Sequence, residues 1–139
     1  MSFKYDLTAN QQTPTSDSKV VLCKSFKIDI AAGSGFTTAT PYQLGWLPKD
    51  AQVVGGNIAV TTTTTGGTVS AATIAVTVGG VTVATGINTY TAALFSTAFA
   101  NTALTTGNTG FDQSVVYTPT LTGAGATAGV IYVTLFYVV

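Results

Sequence analysis

Histidine, arginine and glutamate are absent from this chain of 139 residues, whose charged side chains are five lysines and five aspartates. Nine of those ten lie within the first fifty positions, so that from Ala51 to Val139 only Asp112 is charged. Proton-shuttling and metal-assisted enzymes need several titratable groups held together, and the larger part of this sequence has none to gather. The aspartates Asp6, Asp17, Asp29, Asp50 and Asp112 are scattered, without the spacing of a carboxylate pair or a calcium loop. The sequence therefore predicts no enzyme, no catalytic residues, no cofactor and no metal site.

Cysteine is nearly missing as well. Cys23 stands alone, which excludes an internal disulfide and any Cys/His zinc spacing, and it reads as a strand residue. Net charge is zero and the isoelectric point is about 5.9. No basic stripe exists to follow phosphates, so nucleic acid is not an expected partner. The opening MSFKYDLTANQQTPTSDS lacks the charged, apolar and small-residue zones of a secretory signal, so the product is expected to stay in the cytoplasm where it is made. The longest apolar stretch, Gly129 to Val139, is too short to cross a bilayer as a helix, and no membrane association is expected.

What is present in quantity is Thr, 28 residues, and Gly, 15, together with Val, Ile, Tyr and Phe. That mixture suits half-buried strands joined by tight turns. One domain of this length buries enough surface for a real core. With 7% charged residues and a mean hydropathy of +0.45, the chain has weak colloidal repulsion, which favours packing among neighbours over life as a lone monomer.

Residues 1–18 are polar, with Phe3, Tyr5 and Leu7 as the only anchors, and read either as an extended arm that orders on a sheet or as a frayed terminus. Residues 19–139 read as a single β-sandwich domain. Lys19 to Ile30 predicts a strand with Val20, Leu22, Phe26, Ile28 and Ile30 on the core side; Lys24 interrupts that side and points to a sheet edge. Pro41 to Leu47 predicts a short aromatic strand ending at the Pro48–Asp50 turn. Its Trp46, the only tryptophan, reads as a core or interface anchor rather than a sugar platform. Gly55 and Gly56 predict a bulge in the strand that follows. Gly79 and Gly80 predict a two-residue hairpin loop pairing Val78 with Val81, Thr77 with Thr82 and Val76 with Val83. Tyr90 to Leu104 is read as a short helix or loop over one end. Ser114 to Thr118 is a further strand, and Val130 to Val139 a final one covered on both faces.

Seven or eight strands with turns at short intervals give an all-β antiparallel β-sandwich, with the jelly roll preferred over an immunoglobulin-like arrangement. The segment from Gln43 to Ala84, above all LGWLPKDAQVVGGNIAVTTTTTGG and TIAVTVGG, resembles small structural proteins of tailed bacteriophages. The positions that carry it are Leu47, Pro48, Asp50, Ala51, Val53, Val54, Gly56, Ile58, Val60 and Thr62. The chain is thus similar to capsid decoration, or cement, proteins. That resemblance implies a jelly-roll homo-oligomer, dimer or trimer, on the outer surface of the virion, bridging copies of the major capsid protein. Phe3, Tyr5, Leu7 and Trp46 are the candidate interface residues. Two other readings stay open: a tail or fibre component binding a receptor or glycan, for which Trp46, Tyr42 and Tyr90 are the candidate aromatics, and a surface-adhesion subunit, which the missing export signal opposes.

Overall fold

The alternating Ile, Val and Thr stretches form strands with one buried side, in a computed structural model that describes residues 20–95 and 112–139. Eight strands follow in order: β1 (Leu22–Asp29), β2 (Tyr42–Leu47), β3 (Gln52–Thr65), β4 (Ala71–Val78), β5 (Val81–Asn88), β6 (Ala93–Phe95), β7 (Gln113–Thr122) and β8 (Ala128–Val138). They make two four-stranded antiparallel sheets, ordered β1-β8-β3-β6 and β2-β7-β4-β5. Most sequence neighbours thus sit in opposite sheets, and only the β4–β5 hairpin pairs consecutive strands. This is the double Greek key of a jelly roll, and the order excludes the immunoglobulin alternative.

The core lies between the sheets. Ile28, Ile131 and Val60 form one rung across three strands of the first sheet, and all three are buried. Ile74, Val76 and Val78 of β4 face them from the second, together with Val115 and Tyr117 of β7. At one point the sheets are tied by polar groups. Thr64 and Thr89 are fully buried, and Thr64 Oγ1 donates to Thr89 Oγ1 at 3.1 Å. The Thr64 amide donates to the Thr89 carbonyl and the Thr89 amide to that of Ala72, both at 2.9 Å. A β3 residue is thereby linked through the end of β5 to β4, and the buried hydroxyls are satisfied, as burial demands.

Several local expectations need correction. The first strand is shorter than Lys19–Ile30, and its supposed core side splits: Ile28 and Ile30 are buried, whereas Val20 and Leu22 are 75% and 42% exposed. β1 is an edge strand, as Lys24 indicated, and its leading half is exposed. The Gly79–Gly80 turn forms with φ of 58° and 87°, pairing Val78 with Val81 and Thr77 with Thr82. Val76, however, lies opposite Ala84 rather than Val83, because a bulge turns both Val83 and Ala84 inward. The bulge expected at Gly55 is present.

Within Tyr90 to Leu104, residues 93–95 are a strand on β3 and not a helix or loop; residues 96–111 lie outside the described residues. The strand read as Ser114–Thr118 runs through Pro119 to Thr122. Proline is tolerated there because β2 begins opposite Tyr117, so no ladder partner on that side calls for an amide at Pro119, whose carbonyl accepts from the Ala39 amide at 2.9 Å. The final strand is covered on one face only. Ile131, Val133 and Leu135 are fully buried, while Tyr132 on the other face remains 37% exposed.

Candidate interaction surfaces

Among the described residues the sandwich presents broad sheet faces. Phe3, Tyr5 and Leu7, and with them the division of the chain at residue 18, lie outside the described residues. Trp46 is described, and it is not a core residue: half of its surface is exposed, while its neighbour Leu47 is buried. A bulge between Gln43 and Gly45 sets this register. Gly45 is required beneath the Phe26 ring, since a Cβ there would approach a ring carbon to 2.7 Å. With Gly45 held against Phe26, pleat alternation turns Trp46 outward and Leu47 in. Lys24 closes the gap between the two edge strands: its ammonium donates to the Trp46 carbonyl at 2.7 Å and lies 5.6 Å from the Phe26 ring centroid.

On the outer face of the β1-β8-β3-β6 sheet, β8 presents Val130, Tyr132, Phe136 and Val138, all partly accessible. Ser25 and Thr134 share a hydrogen bond of 2.8 Å across β1 and β8. Lys27 pairs with Asp29 at 3.5 Å and reaches to 5.9 Å from the Tyr132 ring centroid. That ion pair leaves the face locally neutral, so it attracts neither phosphate nor a cation strongly. The outer face of the other sheet carries Thr73 and Thr77 of β4 with Thr118 and Thr120 of β7, hydroxyls and methyls without a charge.

Aromatic groups shape the loop between β1 and β2. Tyr117 donates its hydroxyl to the Gly35 carbonyl at 2.6 Å and stacks on Tyr42 with ring centroids 5.3 Å apart. Tyr42 in turn accepts the Thr37 amide at 3.2 Å. Burial, reinforced by the neighbouring Tyr42, pushes the Tyr117 phenol up to about 12. Both groups hold a loop in place, and Tyr117 stays protonated and unreactive at neutral pH. Beside them lies an open groove of about 190 Å³ lined by Phe36, Thr37, Thr38, Leu121 and residues 123–126, with no titratable side chain. Among the described residues no three His, Cys, Asp or Glu side chains gather into a metal-binding group. Cys23 is a free thiol on the exposed side of β1.

The aromatics proposed as a glycan platform are separated. Tyr42 is taken up by the stack on Tyr117, and Tyr90 lies beyond Asn88, which pairs with Thr73 at the far end of β4 from Trp46. Val20 and Leu22, which the alternation of the first strand placed on the core side, prove to be surface residues, as does Val54 beside the buried Val53.

No family model matches the chain, and no curated protein does. Among solved structures it is similar to a chain titled "Capsid of Ralstonia phage GP4", at 23% sequence identity and a TM-score of 0.61, over 94% of this chain and 92% of that one. At that identity the likeness establishes a common fold over nearly the full length of both chains.

Proposed function

We propose that this protein is a non-enzymatic virion component that decorates a phage capsid on its outer surface and stiffens it by bridging major capsid protein subunits as a homo-oligomer. The observation that carries this reading is the combination of a jelly roll shared over nearly the whole length with a phage capsid chain and outer faces rich in Thr, Val and Tyr, whose Lys27 and Asp29 are paired. A cement protein works by area and repetition: each contact is weak, and the symmetry of a shell multiplies it. Sheet faces with few charges serve that use because covering them desolvates little beyond the paired Lys27 and Asp29. The absence of His, Arg and Glu from the sequence supports a role without chemistry.

The test is occupancy. Purified protein mixed with heads lacking it should co-sediment at a fixed ratio to the major capsid protein and raise the temperature at which the heads rupture. Protein that stays in the supernatant, or is located on the tail in a particle reconstruction, would refute the proposal.

A further inference from the structure

Large apolar side chains left exposed by the fold are not spread evenly. Val20, Val21 and Leu22 are 75%, 56% and 42% exposed, Trp46 50% and Val54 45%. All five belong to one end of the sandwich, and the pairings establish this. Leu22 and Val53 both lie opposite Tyr137, from the two sides of β8. Trp46 is joined to β1 through the bond from Lys24 to its carbonyl. Going around the end, the strands follow as β2, β1, β8 and β3: Trp46 and Val54, each beside a buried residue, face outward from the two sheets, and Val20, Val21 and Leu22 lie on the edge strand between them. Of the others, Val139, 51% exposed, follows β8 at this same end, Tyr132, 37%, lies midway along β8, and Tyr90, 40%, lies at the other end.

We infer that this end is where copies of this chain meet. Together the five side chains expose roughly 450 Å² of apolar surface, as much as the largest patch of an ordinary monomer and more than half of the ~800 Å² each partner gives to a stable interface. Charge decides which partner fits. The charged side chains near this end, among the described residues, are Lys24, Lys49, Asp50 and Asp112, two of each sign. An acidic or basic partner would be matched by an excess of one sign. A surface that must face its own copy needs balance instead, so that each Lys finds an Asp after the symmetry rotation. Lys24 is already committed to a carbonyl, which lowers the cost of enclosing it. The inference rests on the self-association included in the proposed function and assigns it a surface.

The experiment uses the full chain in free solution, by multi-angle light scattering and sedimentation across a dilution series. The wild type should run as an oligomer. Trp46→Ser combined with Val54→Ser, at the two extremes of this end, should weaken association at least about 10-fold, the loss expected for an aromatic anchor and a second apolar contact. Leu22→Ser, on an edge strand where the fold is least at stake, should weaken it by itself, and Tyr90→Ser should leave it unchanged. Circular dichroism confirms that each variant is folded. A monomeric wild type, or variants at this end that associate as tightly as Tyr90→Ser, would overturn the inference. Head occupancy is measured separately: variants that lose self-association yet are compared with wild type on heads reveal whether the capsid reading stands or falls on its own.

Discussion

Replacing Tyr117 by Phe removes one oxygen and leaves the ring stacked on Tyr42, so the variant isolates the bond to the Gly35 carbonyl. Gly35 is partly accessible, and water can take the vacated place. The loss at neutral pH should therefore be about 1 kcal/mol, the net worth of an ordinary hydrogen bond, rather than the ~1–3 kcal/mol of a buried acceptor left orphaned. For a domain of this size that lowers the melting temperature by about 4 °C. The same group carries a pH signature. Its phenol is raised from 10.0 to about 12 in the folded state, so the unfolded chain gives up its proton first. Wild-type stability from this source is complete below pH 10 and is lost as pH rises through about 12. The Phe variant has no such proton. Its deficit should thus shrink above pH 10 and then reverse, a swing of up to about 2–3 kcal/mol at full titration. Urea unfolding followed by far-ultraviolet circular dichroism, wild type against Tyr117→Phe in steps from neutral to alkaline pH, measures both effects. A gap that stays constant across the alkaline range, or a variant as stable as wild type at neutral pH, would refute the account of this loop.

Other predictions follow from the packing. Thr64→Val and Thr89→Val should each cost about 1–3 kcal/mol by orphaning the partner hydroxyl, while the double variant should come close to wild type; a double-mutant cycle on urea midpoints that shows simple additivity would contradict the pairing. Ile131→Val, at the centre of the core, should lower stability by about 1 kcal/mol, and Tyr132→Ser on the opposite face of the same strand by less than ~0.5 kcal/mol, read from the same midpoints. Gly79→Ala should destabilise more than Gly80→Ala. Both positions have positive φ, but only at Gly79 would the new Cβ meet Gln113, 2.7 Å away, whose amide donates to the Ala51 carbonyl; thermal melts compare the two.

The hairpin, the bulge at Gly55 and the edge position of β1 were legible because each is written locally: two glycines between matched strands, a glycine pair within an alternating run, a lysine on an apolar side. The partner of Val76 was not, since the bulge that turns Val83 and Ala84 inward together answers to the curvature of the whole sheet. Nor was the run through Pro119, which depends on where β2 happens to begin. The candidate surface was half visible. Trp46 was singled out by its rarity, but whether it faced core or solvent was decided by Phe26 resting on Gly45, a contact between residues nineteen positions apart in sequence.

Composition by itself determined that this is an all-β chain with little capacity for acid-base chemistry, because the residue types needed for helices, metals and proton transfer are scarce or missing from it. Period-two alternation determined which side of most strands is apolar. Only the tertiary structure decided which of those apolar side chains are covered. Burial belongs to the opposing sheet and not to the strand: the alternation that buries Ile28 and Ile30 puts Val20 and Leu22 on the same apolar side, yet those two remain open to a partner.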